Sequence, residues 1–481
     1  MLGSINKRSI ITLIIFGMIY ALISLVNHQL FRTYSLDLGL YTNALYDYSH
    51  FQFNDSTTFK ESSENLLADH FDIYLMLFSM LSYFLGTNTL LVVQIAALIF
   101  GALGVKKYFD QRHLIPNLGY PAMLFFLLFF GVFNAVSQDY HSNVVAACLV
   151  PWFFIQLEKK KYQWAFMWFF LILIAKENMS LWLFFIGLGG IIHYRKDKRT
   201  VFFLFIISVL SAGSFVLITS VIMPYFSNQG IYIHFNYSIL GKNASEALIH
   251  LINHPIDSFL DLFVNHKSDP NCNYIKTELH LFLLLSGLPF LIRYPGFILM
   301  LAPIYAQKLF HDNPMMWSIG VQYNIEFAPI LALGIFLAIE KITSAGLRKS
   351  AILLVLIGTA AVTLRSMDST VIYTRKDNIR FYSKGHYQRD YNIKAVRSAM
   401  KEIPEDAIVS AQSPFVPHLS LRDKIYTFPI IKDAEYLLFS PKEGTYPLNS
   451  KAFNNKMDSL LNSDKWTVRT DRDSVFLLQR K

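Results

Sequence analysis

The sequence predicts a polytopic α-helical membrane protein with a small α/β domain at its C-terminal end. Three observations lead there. Hydrophobic residues make up 53% of the 481 and charged residues only 16%, where a soluble protein carries about a quarter charged residues. The apolar residues come in uncharged blocks, and mean hydropathy is +0.35. After residue 366 that character ends, and polar sequence with short β-branched and aromatic runs takes over.

The blocks are 9–26, 87–105, 119–137, 142–157, 162–175, 178–192, 200–226, 279–292, 294–307, 327–339 and 350–364. Spanning the hydrocarbon core takes about 20 apolar residues, with about 17 as a workable minimum. Several blocks are shorter, so flanking Tyr, Trp and Asn must complete them at the interfaces. About eleven transmembrane helices are expected within 1–366. The first follows Lys7 and Arg8 and runs to Val26 with no small-residue cleavage site, so it reads as a retained helix. Cys148 and Cys272 are the only cysteines and are not expected to pair; they offer no zinc pattern either.

Charge sets the orientation. With eleven helices alternating from an inside N-terminus, segments 1–8, 106–118, 158–161, 193–199, Arg293 and 340–349 are inside. They hold 16 Lys and Arg in 43 positions, against 7 in about 140 positions of the outside segments between helices. That is the positive-inside bias. It accounts for part of the net charge of +9, so nucleic acid is not an expected partner. Residues 73–86 are apolar but short for a span, and counting them as one would put Lys106 and Lys107 outside. They are expected to form an interfacial or re-entrant helix on the outer leaflet. Residues 367–481 then form an outside α/β domain, with strands at 407–411, 424–428, 435–440, 466–470 and 474–479 and a helix at 451–463.

On this topology the ionisable residues gather on the outside. The first outside loop carries Asp37, Asp47, Asp55, Glu61, Glu64, Asp69 and His70, and the next turns carry Asp139 with His141 and Lys176 with Glu177. Later outside segments add His266, Asp269, His311, Asp312, Gln322, Tyr323 and Glu326. Ionisable groups at membrane depth are costly and mark function. Structural roles compete for each residue: Asp37 as a helix N-cap, Asp69–His70 as a cap, Lys176–Glu177 as an ion pair. Convergence on one face carries the functional reading. No motif demands a cofactor and no nucleotide-binding loop is present. A divalent metal stays open, because Asp69/His70 and Asp139/His141 supply ligand types without a spacing that fixes an ion.

The stretches SLDLGLYTNAL (35–45), ADHFDIYLML (68–77), DYHSNV (139–144), AKENMSL (175–181) and PHLSLRDKIYTFP (417–429) together resemble the bacterial DUF2079 predicted membrane proteins. The resemblance covers most of the chain; Leu421, Ser142 and Asn178 depart from the family pattern. That family is in turn similar to the GT-C glycosyltransferase superfamily. The resemblance implies a GT-C-like fold in the bacterial inner membrane. It implies transfer of one sugar, with inversion, from a polyprenyl-phosphate donor to an extracytoplasmic lipid, glycan or protein acceptor. Asp37, at the family's acidic motif, is expected to be the general base, with Leu38, Leu40 and Leu45 pinning its loop to the membrane. Substrate binding is expected of Asp69, His70, Asp139, His141, Lys176, Glu177, Tyr323, His418 and Arg422, with Lys176 beside the departing lipid phosphate. The alternative is a transporter or lipid flippase, which predicts charges within helices, broken helices and related halves.

Overall fold

The computed structural model describes residues 6–59, 62–372 and 376–481, which leaves Glu61 outside the described residues. The chain is mostly helical, and every apolar block falls in a helical segment. Four helical runs are long and apolar enough to cross a membrane: Lys7–Gln29, Tyr74–Asp110, Lys198–Phe226 and Ala345–Asp368. Two bent pairs raise the number to six if each is one span: Gly119–Leu128 with Phe130–Ser137 at 44°, and Pro314–Asn324 with Phe327–Glu340 at 68°. The other blocks make shorter helices. Ser142–Glu158 has 17 residues and Tyr162–Leu173 has 12, about 25 and 18 Å at 1.5 Å per residue. Length and composition therefore support four to six spans among the described residues, fewer than the eleven expected.

The two bends lean on each other. Phe129 takes an extended conformation (ψ 133°) and interrupts the first pair. Gly131, two residues on, packs directly against the Asn324 carbonyl, where a Cβ has no room. The Asn324 amide donates to the carbonyls of Ser318, Ile319 and Val321 at 3.2, 3.0 and 2.8 Å. Irregular backbone among apolar helices needs such internal partners.

The long helices are apolar on every side, as lipid-facing helices are. Ile10, Ile14 and Met18 on the first, Phe202, Phe205 and Val209 on Lys198–Leu217, and Leu353, Leu354 and Ile357 on Ala345–Asp368 all point outward. Residues 74–88 run into Thr89–Asp110 as short helical pieces interrupted at Gly86 (φ +56°). As one straight helix, the 37 residues of Tyr74–Asp110 would extend about 55 Å, too long for a single crossing. The arm exposes Leu77, Met80, Leu81, Tyr83 and Phe84.

At one end of the bundle Arg112 bridges Glu158 and Glu340, each at 3.0 Å. Tyr108 and Tyr194 donate to Glu158 at 3.0 and 2.9 Å. This network joins the ends of Thr89–Asp110, Ser142–Glu158, Glu177–His193 and Phe327–Glu340, so the lysine-rich segments share one end. The opposite ends of the same helices carry the acids and histidines.

The C-terminal unit is an α/β domain whose five strands lie within a residue or two of expectation: β1 Val409–Ala411, β2 Ile425–Thr427, β3 Tyr436–Phe439, β4 Trp466–Arg472 and β5 Val475–Arg480. Their order is β2-β1-β3-β5-β4. β1 runs parallel to β2 and β3, and β5 antiparallel to β3 and β4. Two apolar clusters, one with Val396 and Ala399 of Ile393–Lys401 and one with Phe453 and Leu460 of Ser450–Leu461, fill the domain.

The domain is fastened to the first helix and its following loop. Phe31 is buried in the domain's own core. Arg32 donates to the carbonyls of His386 and Gln388 at 2.6 Å and of Asp377 and Gly385 at 3.1 Å. Thr427 N–H donates to the Thr58 carbonyl at 2.7 Å. Cys148 and Cys272 are both buried and free.

Candidate functional site

Asp37 sits in a single π-helical turn, Ser35–Gly39, that leads into Leu40–Ser49. Such turns are rare and recur at functional sites. The turn is held from both sides. Asp139 accepts the N–H of Tyr34 at 2.9 Å and of Leu38 at 3.4 Å. Behind it, the Ser35 and Ser413 hydroxyls lie 2.9 Å apart, and Asn43 donates to the Arg422 carbonyl at 2.7 Å. Gly39 is needed because a Cβ there would lie 2.8 Å from Val416 Cγ1. Leu38, Leu40 and Leu45 are buried in the protein core. They pin the turn to protein, which corrects the expectation that they hold it to the membrane.

The Asp37 carboxyl is half-buried. Burial pushes it up to about 6, against the opposing pull of Lys176 and His70 and with the repulsion of Asp69. A carboxyl placed there is poised for proton transfer near neutral pH.

Beside the turn lies a compact charged cluster. Glu177 opens the helix Glu177–His193, where an acid suits the helix dipole. Its Oε1 lies 3.2 Å from His70 Nδ1, and its Oε2 accepts the Phe71 N–H at 3.2 Å. Lys176 Nζ lies 3.3 Å from His70 Nε2 and 5.8 Å from the centre of the Tyr323 ring. His70 thus lies between the Glu177 carboxylate at Nδ1 and the Lys176 ammonium at Nε2. His234 stacks on His70, with ring centres 4.6 Å apart and planes at 13°. Its Nε2 lies 2.5 Å from the Asp69 carbonyl and 3.1 Å from Asp69 Oδ1. Burial would raise the Asp69 carboxyl, but His70 and His234 hold it well below the usual carboxylate range. Burial would likewise lower His234, and its bond to Asp69 raises it.

The cluster thus unites Asp37, Asp69, His70, Lys176, Glu177 and Tyr323 from four separated segments. Two other expected residues serve it from beneath. Asp139 holds the Asp37 turn, while buried His141 sits just before Ser142–Glu158 and donates its backbone N–H to Gln94 at 2.9 Å. Burial first, and then Lys176, push the His141 imidazole well below its ordinary value. His141 is therefore neutral.

The structure does not bring His418 and Arg422 into this cluster; their side chains lie behind the Asp37 turn. His418 stacks on His28 at 4.0 Å and packs on Phe31. The Arg422 guanidinium donates to the carbonyls of Leu419, Ala407 and Pro404 at 2.6, 2.7 and 3.3 Å. A buried guanidinium must satisfy its donors, and the nearest acceptors belong to its own domain. The C-terminal motif braces the Asp37 turn from behind.

Sequence reasoning missed His234, a single histidine in an aromatic loop with no partner nearby in sequence. It also passed over Asp72, three residues beyond Asp69, which caps Tyr74 N–H at 3.0 Å and which burial raises to about 7. Asp312 pairs with Lys267 at 2.8 Å, and His266 with Lys276 at 2.9 Å, so these groups largely satisfy one another.

Fold and site together define a helical membrane-type protein with a charged acid–histidine–lysine cluster at one end of its bundle and an α/β domain clamped beside it. The chain belongs to the DUF2079 family of predicted membrane proteins, whose model matches residues 27–477. No curated protein matches it.

Proposed function

We propose that this protein is a GT-C-like glycosyltransferase of the bacterial inner membrane. It moves a sugar from a polyprenyl-phosphate donor to an extracytoplasmic acceptor with inversion. In this reading the eleven apolar blocks all cross the bilayer, the shorter ones completed at the interfaces, and the clustered end and the C-terminal domain face outside. The observation that carries the reading is a half-buried carboxyl, Asp37, raised to about 6 by burial and within electrostatic reach of the buried ammonium of Lys176.

Asp37 takes the proton of the acceptor hydroxyl as it attacks the anomeric carbon. The bond from that carbon to the lipid phosphate breaks on the opposite face, which inverts the centre. Lys176 meets the charge that grows on the departing phosphate. Burial works against its ammonium, and Tyr323, Glu177, Asp37 and Asp69 keep it charged.

A second reading, a transporter or lipid flippase, draws on one specific feature. The bend between Pro314–Asn324 and Phe327–Glu340 carries buried Glu326, beside the buried Lys308 of Pro295–Leu309, and broken helices with buried charges suit transport. Mass spectrometry of lipid extracted from the purified protein separates the two. A co-purifying polyprenyl-phosphate sugar, discharged when an acceptor fraction is added, supports transfer. Exclusive recovery of ordinary phospholipid rejects it.

A further inference from the structure

We propose that Asp69, His70 and His234 form a binding site for one divalent transition-metal ion of the zinc type. One ligand atom from each lies within 4.8 Å of those of the other two. Tetrahedral zinc with bonds of about 2.0–2.1 Å sets its donors about 3.3 Å apart. The Asp69 and His234 atoms, at 3.1 Å, already meet that spacing, and the His70 atom lies within 4.8 Å of both. The side chains are 17–29% exposed, open enough for an ion to enter and buried enough to shed most of its water.

The surroundings suit a metal better than a structural ion pair. Metal-bound imidazoles usually donate their remote N–H to a carboxylate, which fixes the tautomer and aims the other nitrogen. The Glu177 carboxylate stands at His70 Nδ1 to accept in this way, leaving Nε2, which faces Lys176, to meet the ion. The stacking of His70 and His234 at 13° sets both rings beside the Asp69 carboxylate. Two nitrogens and one oxygen favour zinc and its neighbours over magnesium or calcium, which prefer all-oxygen cages. Three protein ligands leave a position open, as catalytic sites do.

The cation nearest these ligands is the protein's own. Lys176 Nζ, 3.3 Å from His70 Nε2, stands where a bound ion would approach. Ion and ammonium repel, so binding moves Lys176 off His70 and expels the proton that His234 holds against Asp69. Lys176 is thereby a negative determinant of metal affinity while remaining a positive charge of the site. Any part the ion plays in sugar transfer rests on the function proposed above; its binding does not.

The test is titration of untagged, chelator-stripped, full-length protein in detergent with Zn²⁺, followed by calorimetry and elemental analysis. One equivalent is expected for the wild-type protein. His234→Ala and Asp69→Asn should weaken binding at least a hundredfold, and Lys176→Met should tighten it at least tenfold. Equal binding by wild type, His234→Ala and Asp69→Asn overturns the site. Should a variant fail to accumulate, Co²⁺ added to the wild type decides: intense visible bands of a four-coordinate ion support the site, and a six-coordinate solution-like spectrum overturns it. Zinc held by these residues in a protein that transfers no sugar rejects the function and keeps the site. Transfer by a protein that binds no zinc does the reverse.

Discussion

The carboxylate of Asp139 accepts the backbone N–H of Tyr34 at 2.9 Å, and through that bond it holds the turn that presents Asp37. The two acids are far apart in sequence and do different work. Asp37 feels the charges of Lys176, His70 and Asp69, while Asp139 is buried and turned toward amides. Asp139→Ala leaves two N–H groups short of an acceptor, which costs about 1–3 kcal/mol. It is expected to lower the thermal midpoint and to reduce transfer more than tenfold with the Asp37 chemistry itself unchanged. The pH–rate profile should therefore keep its shape, and a shifted profile would show that Asp139 acts on the proton directly.

Asp37→Asn keeps the size of the side chain and removes its basicity. Loss of a positioned base costs about 10²–10⁴ in rate, so transfer should nearly vanish while the lipid-linked donor still co-purifies. In the wild type the rate should rise as pH increases through about 6, because only the ionised form accepts a proton. Normal turnover by Asp37→Asn would move the base to Asp69, Asp139 or Glu177.

The same carboxyl has a stability signature. Its folded value lies above the ordinary 3.8, so between about 4 and 6 the folded chain binds more protons than the unfolded one. The contribution of Asp37 to stability is then lost as pH rises through that window. Asp37→Asn should melt higher than the wild type in detergent at pH 7, and by a smaller margin at pH 5. An equal margin at both values would count against the buried-acid account.

Arg32 and Arg422 are structural clamps in different places. Arg32→Ala removes four bonds to the 377–388 segment and is expected to cost about 2–4 kcal/mol. Limited proteolysis should then cut near 369–392 and release the α/β domain. Arg422→Ala should reduce accumulation of the whole chain, because the buried carbonyls of Leu419 and Ala407 lose this donor. A normally accumulating Arg422→Ala protein with a selective loss of donor binding would restore Arg422 to the substrate site.

A reporter placed within 193–199 is expected on the cytoplasmic side and one placed after residue 366 on the other. Accessibility of introduced single cysteines to an impermeant reagent measures this. A cytoplasmic reporter after 366 would place the whole Asp37 cluster inside and reject donors that present their sugar outside.

Much of this arrangement was legible in the sequence. Asp37, Asp69, His70, Lys176 and Glu177 were grouped by their position at block ends, because apolar helices force polar groups to the ends. The strands were legible because AIVSA, EYLLFS and SVFLLQ are β-rich runs bounded by polar residues. What failed to show was direction and continuity. Nothing in PHLSLRDKIYTFP says whether His418 and Arg422 turn toward the cleft or into their own domain. Hydropathy likewise marks 119–137 as one block, although Phe129 breaks its helix. His234 stayed hidden because its partners, Asp69 and His70, lie more than 160 positions away.

The bonds of Ser35 to Ser413 and of Asn43 to Arg422 impose an order on biosynthesis. The turn bearing Asp37 is made first, and its brace follows 378 positions later in the chain. Until those positions are made, a growing chain holds Asp37 and Lys176 but lacks the bonds that set the geometry of the turn. The geometry of the turn is therefore completed only after Ser413 and Arg422 have been made.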